Sequence, residues 1–210
     1  MVTAEFRQVP GAELGVLSWS FPEPVAVLSS AAVGGGLTET RSVLNIRVPL
    51  RYDRTDLATH ADEVTAALGL AGSAVVLFTA TELERRARGE HDGVIVDATS
   101  GITKPTWAAD PEGGWTPWEP GTINLVAQLP VPVTPAAAVN AVITMTEAKT
   151  QALHELGVPG TGTASDAVVL AWPREGVAPE PFAGPRAPLG AALALATHDA
   201  VFRSAGENQR

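Results

Sequence analysis

The sequence predicts an α+β fold: a single domain in which a mixed or largely antiparallel sheet packs with about three main helices. Strand-forming segments outnumber helical ones, and several follow one another without the crossover helix that a parallel pair needs. Of the 210 residues, 45% are hydrophobic and 18% are charged, which is typical of a globular chain. A chain of this length can build one hydrophobic core. We therefore expect one domain over residues 1–210, with its core at about residues 16–203.

The individual elements follow from local composition in chain order. Runs of β-branched and apolar residues predict strands, whereas apolar residues at helical spacing, bounded by capping residues and glycine, predict helices. The first half of the chain predicts strands at Val16–Trp19, Val25–Ser30 and Val43–Val48, a helix at Thr55–Leu68 that ends at Gly69, and a strand at Ala74–Thr79. The second half predicts strands at Val94–Thr99, Ile123–Leu129 and Ala167–Trp172, and helices at Pro135–Gly157 and from Leu189 to about Phe202.

The remaining segments predict surface structure. The charged stretch Glu82–Asp92 is expected to form at most a short surface helix. The Pro- and Gly-rich segments Lys104–Gly121 and Pro173–Pro188 are expected to be surface loops within the one domain. The C-terminal segment AGENQR is expected to fray.

Composition and charge argue against several classes of function. A formal net charge of −9 and the lack of a basic run argue against a nucleic-acid-binding surface. The absence of cysteine excludes disulfides, thiolate nucleophiles and cysteine-ligated zinc. The N-terminal residues lack the pattern of a signal peptide, and no apolar run reaches membrane-spanning length. We expect a cytoplasmic protein without a membrane or nucleic-acid partner, and a homo-oligomer is compatible with the sequence.

Lys149 is unusual because it falls on the apolar face of the second predicted helix. At roughly 100° per residue, it shares a stripe with Val142, Met145, Leu153 and Leu156. An ammonium group on such a face is costly unless it is paired or loses its charge. The polar stripe of the same helix is expected to contain Asn140, Thr144, Glu147, Gln151 and His154. The position of Lys149 therefore indicates a specific role.

Two loops rich in small residues are further candidates for a site. The first, Ala32–Arg41, contains Gly34, Gly35 and Gly36, whose backbone N–H groups could cradle an anion or an oxyanion, although a plain tight turn fits as well. It lacks the lysine of a Walker A loop. The second, Gly160–Asp166, presents several hydroxyls and one carboxylate. The four histidines, His60, His91, His154 and His198, all lie in polar surroundings and are expected to face solvent.

Five stretches together resemble the adenosylcobinamide amidohydrolase (CbiZ) family. They are AVGGGLTETRSVLNIRVP, VDATSGITKP, GTINLV, VNAVITMTEAKTQALHELGVPGTGTASDAV and FAGPRAPLG. They span roughly residues 25–200 in the family's order. The chain departs from the family at TGTASDA, where the family usually has TGTGTDA, but Ala164 and Ser165 keep a hydroxyl before Asp166.

The resemblance implies hydrolysis of the amide that joins the corrin ring to aminopropanol in adenosylcobinamide. The product would be adenosylcobyric acid, which returns incomplete corrinoids to cobalamin biosynthesis. The corrinoid would be a substrate, and no cofactor is implied. The sequence also lacks the Asp-x-His-x-x-Gly pattern that grips cobalamin cofactors. The alternative is a corrinoid-binding or carrier protein on the same scaffold that catalyses no reaction.

For amide hydrolysis, the candidate residues divide by role. Lys149, if shielded from water as a neutral amine, is a candidate base, and an ion pair with Asp166 or Glu39 is the structural alternative. Glu147, which the family motif includes, is a second candidate base. The candidate nucleophiles are the hydroxyls of Thr146, Thr161, Thr163 and Ser165 or a water molecule, and Asp166 is the neighbouring carboxylate. The candidate substrate-binding residues are Gly34, Gly35 and Gly36 as an oxyanion site, with Thr38, Glu39, Arg41, Asn45, Asn124, Asn140, Thr161 and Gly162.

Two further hypotheses concern a metal and a lid. The spacing of Glu39, Glu147 and Asp166 does not demand a metal ion, so no metal site is predicted. Trp107, Trp115 and Trp118 offer flat apolar area that could cover a corrin ring. The alternative is that these tryptophans anchor a long loop to the body of the protein.

Overall fold

The computed structural model describes residues 1–112 and 121–206. Within them the chain forms three helices, α1 (Leu57–Ala67), α2 (Pro135–Glu155) and α3 (Pro188–Gly206), and a short 3-10 turn at Leu83–Arg85. The strands are β1 (Glu5–Val9), β2 (Ala12–Ser29), β3 (Gly36–Arg47), β4 (Val75–Thr79), β5 (Ala87–His91), β6 (Val94–Gly101), β7 (Thr122–Gln128) and β8 (Ala167–Pro173).

All eight of these strands belong to one mixed sheet, in the order β4-β3-β2-β8-β7-β6-β5, with β1 paired to the first part of β2. Two neighbouring pairs are parallel, β3 with β4 and β7 with β8. The other pairs are antiparallel. The mixed sheet and the three helices confirm the predicted α+β class.

The sheet bends along β2 so that its two halves face each other. The register of β2 against β3 shifts between Ser20 and Val25, and β2 pairs with β1 before the shift and with β8 after it. β4 and β7 are far apart in the strand order, yet Asn124 in β7 donates a hydrogen bond to the backbone carbonyl of Phe78 in β4 (3.1 Å). Val75 in β4 and Val126 in β7 also belong to one buried apolar cluster.

The alternation of side chains along the strands places three apolar cores in successive layers. In β7, Val126 faces the core between the two half-sheets, whereas Ile123 and Leu125 face the core formed with α2 and α3. In β3, Val43 faces the central core and Leu44 faces a third core, which α1 covers through residues such as Val64. The layers are therefore α1, half-sheet, half-sheet, and α2 with α3. No helix within the described residues is long and apolar enough to cross a membrane.

Several predicted elements differ from the observed ones. Val16–Trp19 and Val25–Ser30 are not two strands but parts of the single bent strand β2, because a local irregularity interrupts its pairing and its apolar alternation without ending it. Glu82–Asp92 was expected to be at most a short helix, but it contains β5, which is paired to β6. β1 was not predicted because most of its side chains are exposed.

Helix α2 agrees with its predicted apolar stripe. The side chain of Thr134 caps its N-terminus by accepting a hydrogen bond from the Ala137 N–H (3.2 Å), and Pro135 occupies the first turn. Met145, Lys149 and Leu153 are buried as predicted. The prediction for Thr144 is wrong: it is buried, and its hydroxyl donates to the carbonyl of Ala183 (2.9 Å) on the connector that precedes α3.

Candidate active site

The site is organised around an ion pair between α2 and the start of β8. Lys149 Nζ donates to Asp166 Oδ2 at 2.5 Å, and the two side chains are 10% and 16% exposed. Of the two structural partners predicted for Lys149, the structure therefore shows Asp166. The strand geometry explains the pairing, since Asp166 immediately precedes β8, which lies beneath α2. In this geometry Nζ is the donor and Asp166 is the acceptor.

The carboxylate of Asp166 accepts three further hydrogen bonds. Its Oδ1 atom accepts from the Thr163 hydroxyl (2.5 Å) and from the backbone N–H of Ile123 (2.9 Å). Its Oδ2 atom also accepts from the backbone N–H of Thr163 (3.2 Å). Because four donors converge on it, this carboxylate is held in one orientation at the edge of the sheet. The structure therefore brings together three of the predicted catalytic residues, Lys149, Thr163 and Asp166.

Gly162 makes room for this arrangement. A Cβ atom added at Gly162 would lie 2.6 Å from Lys149 Nζ and would overlap Asp166 Oδ2. Its carbonyl accepts a hydrogen bond from the N–H of Thr106 (2.8 Å), which ties the loop to the neighbouring segment. Of the predicted substrate-binding residues, Gly162 thus contacts the ion pair directly.

We expect Gly162→Ala to reduce turnover about 100-fold, because the new methyl group must displace the amine or the carboxylate by a substantial part of an ångström. The matched control is Gly206→Ala, whose Cβ would meet only Leu156 at an ordinary contact distance of 3.6 Å. Steady-state kinetics on both variants measures the effect. Equal activity of the two variants would show that the close approach at Gly162 does not matter for catalysis.

A cleft of about 470 Å³ opens on the side of Asp166 that faces the opposing half-sheet. Asp166, Ser165, Thr122 and Asn124 line one wall of it. The hydroxyls of Thr122 and Ser165 lie 2.7 Å apart, and Ser165 also donates to the carbonyl of Gly121 (2.9 Å). Ser165, another predicted catalytic residue, therefore lies in the cleft beside the ion pair rather than in contact with it.

The two predicted asparagines meet across the sheet. Asn124 Nδ2 donates to Asn45 Oδ1 (2.9 Å), and Asn45 Nδ2 donates to the Thr99 hydroxyl (3.0 Å). All three side chains are buried. Asn124 Oδ1 is buried and has no hydrogen-bond partner within the described residues. Asn124 therefore presents a buried acceptor at the wall of the cleft, while Asn45 holds it in place.

The opposite wall of the cleft contains residues that the sequence did not single out. Tyr52, Phe78 and Arg54 line it, and the rings of Tyr52 and Phe78 are stacked with centroids 6.0 Å apart. Burial raises the pKa of the Tyr52 hydroxyl, which lies 2.6 Å from His60 Nδ1. The expectation that His60 faces solvent is wrong, because its ring is buried and its Nε2 atom donates to the carbonyl of Gly11 (2.6 Å).

Arg54 contributes little free positive charge to the cleft. It donates to both oxygens of Asp56 (2.9 and 2.7 Å) and to both oxygens of Glu63 (2.8 and 3.2 Å). These hydrogen bonds lower the pKa of Asp56 to about 2 and also lower that of Glu63. The cleft mouth therefore does not form an anion site.

Other predicted substrate-binding residues lie elsewhere. Thr38, Glu39 and Arg41 belong to β3 rather than to a loop, and Glu39 pairs with Arg174 while Arg41 pairs with Glu23. β3 and β8 flank β2, and Glu39 lies level with Trp172, at the far end of β8 from Asp166. Asn140 accepts a hydrogen bond from the N–H of Ala183 (3.2 Å). The structure does not place these side chains at the ion pair.

The glycine turn is next to the cleft but does not line it. Ser30 and Ala32 line the cleft, whereas a Cβ at Gly34 would meet the carbonyl of Ala74 at 2.7 Å. The turn thus packs closely against the segment that leads into β4. The positive φ angles of Gly34 and Gly36 (70° and 90°) show why glycine is needed there.

The remaining residues predicted for catalysis, substrate binding or a lid lie around α2 where the structure describes them. Thr146 lines a smaller cavity together with Lys149 and Asp166, and its hydroxyl donates to the carbonyl of Val142 (2.8 Å). Glu147 lies on the outer face of α2, in a groove with Trp107, which is 55% exposed. The hydroxyl of Thr161 accepts from the N–H of Ala108 (2.9 Å) and so fixes the loop that carries Trp107. Trp115 and Trp118 lie outside the described residues.

Among residues 1–112 and 121–206, no cluster of three or more histidine, aspartate or glutamate side chains is arranged to hold a metal ion. In particular, Glu39 and Glu147 do not join Asp166, since one is paired with Arg174 and the other lies in the groove on the outer face of α2.

The fold and the site define an α+β protein whose hydroxyl, carboxylate and amine are arranged as in enzymes that activate an oxygen nucleophile. The sequence model of the adenosylcobinamide amidohydrolase family matches residues 3–210. The chain therefore belongs to the adenosylcobinamide amidohydrolase family.

Individual relatives agree with this assignment. A protein from Halobacterium salinarum, named adenosylcobinamide amidohydrolase, is 34% identical over 189 residues, which cover 86% of this chain and 80% of that protein. A protein of the same name from Methanosarcina mazei is 27% identical over 143 residues, or 68% of each chain. The crystal structure of the PH0078 protein from Pyrococcus horikoshii OT3 aligns with 97% of this chain and 81% of that chain, with a TM-score of 0.47 and 14% identity.

Proposed function

We propose that this protein hydrolyses the amide bond between the corrin ring and aminopropanol in adenosylcobinamide, giving adenosylcobyric acid for corrinoid salvage. The observation that carries the proposal is a row of three hydrogen-bonded groups, the Thr163 hydroxyl, the Asp166 carboxylate and the Lys149 amine, with 2.5 Å between successive groups. Of these residues, Asp166 lines the cleft. Membership of the family and the names of the two relatives support the choice of substrate. The corrinoid is then the substrate of the reaction and not a resident cofactor.

In the proposed mechanism, Thr163 is the nucleophile and Asp166 is its base. A hydroxyl is a weak nucleophile until a base within hydrogen-bond reach removes its proton, and the base must itself be oriented by a third group. Asp166 is within reach of the Thr163 hydroxyl, and Lys149 fixes the other carboxylate oxygen. Attack of Thr163 Oγ1 on the amide carbon then forms a tetrahedral intermediate while Asp166 takes the proton.

Lys149 is the proposed acid that protonates the leaving amine. Collapse of the intermediate breaks the carbon–nitrogen bond, and the departing nitrogen takes a proton from Nζ. The proton held by Asp166 then passes to the neutral Lys149 amine, with which it is in contact, so the pair returns to its original state. This role differs from the neutral lysine base that the sequence suggests, and the contact of Nζ with the Asp166 carboxylate supports it.

The remaining step releases the acid. The acyl group is held as an ester on Thr163 after aminopropanol leaves. A water molecule attacks this ester, Asp166 takes a proton from the water, and the proton passes to Thr163 Oγ1 as the ester bond breaks. The net change is amide plus water giving carboxylic acid plus amine, and the protein groups are regenerated.

The proposal is tested by incubating the purified protein with a large molar excess of adenosylcobinamide and separating the corrinoids by liquid chromatography with mass detection. We expect many equivalents of adenosylcobyric acid per protein molecule, together with aminopropanol. A protein that binds adenosylcobinamide tightly but returns it unchanged would instead be the corrinoid carrier that is the alternative.

A further inference from the structure

A second, smaller cavity lies on the opposite side of the sheet from the cleft and shares Ser30, Asp166 and Ala167 with it at the sheet edge. This cavity has a volume of about 250 Å³ and is lined by Val142, Thr146, Lys149 and Asp166, among others. The cleft contains Asn124 and Thr122 but not Lys149, whereas the cavity contains Ile123 and Leu125. We call this smaller cavity the amine pocket.

The alternation of side chains along β7 shows that the two spaces open on opposite faces of the half-sheet. Asn124 points toward the opposing half-sheet, where it contacts Asn45 and the carbonyl of Phe78. Ile123 and Leu125 point toward α2 and α3. Asp166 lies at the edge of the sheet, just before β8 begins, and can therefore be reached from either face.

We infer that the substrate amide crosses this edge, with its acyl side in the cleft and its amine side in the amine pocket. This inference rests on the proposed function. The corrin macrocycle is too large for this cavity of about 250 Å³, so we place it on the side of the larger cleft. Aminopropanol is small enough for the pocket. Lys149 lines the pocket and not the cleft, so the leaving nitrogen departs on the side of the residue that is its proposed proton donor.

The chemistry of the amine pocket matches a short amino alcohol. Most of its lining is apolar, from residues such as Val142, Ile123 and Leu125, which suits the methyl and methylene groups. Thr146 supplies a hydroxyl whose proton is already donated to the carbonyl of Val142, so its free lone pair can accept a hydrogen bond from the alcohol. Val142 thus limits the size of the amine, and Thr146 selects for the alcohol group. Neither residue has a role in bond breaking.

The test compares Val142→Phe, which fills the amine pocket, with the matched control Ile143→Phe, which lies on the same helix but is 50% exposed. Both substitutions are made in a Thr163→Val protein, which lacks the proposed nucleophile and so does not consume the ligand. Equilibrium dialysis then measures binding of adenosylcobinamide and of adenosylcobyric acid, which lacks the aminopropanol arm. We expect Val142→Phe to weaken adenosylcobinamide binding about tenfold and to leave adenosylcobyric acid binding unchanged, because only the amine arm enters the pocket. Equal effects of the two variants on adenosylcobinamide would overturn the inference.

Thr146→Val provides a second measurement on the same pocket. The Thr163→Val protein is expected to bind the aminopropanol amide about tenfold more tightly than the corresponding propylamine amide, and adding Thr146→Val is expected to abolish this preference. An undiminished preference in the variant would reject the assignment of Thr146. Because these measurements report binding, they remain decisive if no corrinoid is cleaved, and an absence of cleavage would reject only the proposed hydrolysis.

Discussion

Asp166→Asn is expected to lower turnover by about 10³-fold and to destabilise the protein by about 3 kcal/mol. The activity falls because the amide cannot take the proton of the Thr163 hydroxyl. The stability falls because Lys149 loses the negative charge beside it; within the described residues, Asp166 is its only hydrogen-bond partner. Steady-state kinetics and urea unfolding measure the two effects separately.

Lys149→Met, which removes the other member of the ion pair, should differ from Asp166→Asn in its effect on stability but not in its effect on turnover. Asp166 keeps three donors when the amine is removed, from the Thr163 hydroxyl and from the backbone N–H groups of Ile123 and Thr163. We therefore expect a cost of only about 1 kcal/mol, with the same large loss of turnover. The double variant should be about as stable as Lys149→Met alone and fully inactive, because no unpaired ammonium remains.

The chain offers a close control for these variants, because its only other lysine is the exposed Lys104. Lys104→Met removes the same charge and is expected to change stability by no more than about 0.5 kcal/mol and to retain turnover. The account of the ion pair would be contradicted if Lys149→Met kept wild-type turnover, or if Asp166→Asn and Lys149→Met cost the same stability.

Thr163→Val is expected to lower turnover by at least about 10³-fold, because the valine side chain has nearly the same shape but no hydroxyl to attack the amide. Thr163→Ser should keep most of the activity, since it retains the hydroxyl that contacts Asp166. Ser165→Ala is the informative comparison: it removes a hydroxyl that lines the cleft and contacts Thr122 but does not contact Asp166. We expect it to lower turnover less than tenfold.

Intact-protein mass spectrometry provides an independent measurement of the nucleophile. Wild-type protein quenched during turnover should carry the acyl group on Thr163, and Thr163→Val should not. If Thr163→Val keeps more than a tenth of wild-type turnover, then either water or Ser165 attacks the amide directly. A comparison with Ser165→Ala separates those two routes.

The sequence predicted the fold class and much of the ion pair because both depend on local patterns. Lys149 was detectable because one charged residue interrupts an apolar helical stripe, and burial of Met145 and Leu153 on either side bears this out. Asp166 was detectable because it ends a loop of small residues that resembles the family. The sequence predicts either Asp166 or Glu39 as the partner of Lys149, and only the position of β8 under α2 decides between them.

The rest of the site depends on contacts between residues that are far apart in the sequence, which the local pattern of apolar and polar residues cannot predict. The bend in β2 brings Asn45 and Asn124 into contact, and their positions in sequence gave no sign of it. Strand register separates Glu39 from the site: although Glu39 is only three residues beyond Gly36, it lies level with Trp172, at the far end of β8 from Asp166. The polar neighbours of His60 in the sequence predict a surface position, but its ring is buried and forms hydrogen bonds with the Tyr52 hydroxyl and the Gly11 carbonyl.

The most direct test of the central claim is a single-turnover experiment in which excess protein is mixed with adenosylcobinamide and the release of aminopropanol is followed in time. We predict stoichiometric release of aminopropanol and adenosylcobyric acid by the wild-type protein and by Lys104→Met. We predict that release by Lys149→Met and by Asp166→Asn is about 10³-fold slower. Release by either of the last two variants at the wild-type rate would contradict the role of the Lys149–Asp166 pair in cleaving the amide.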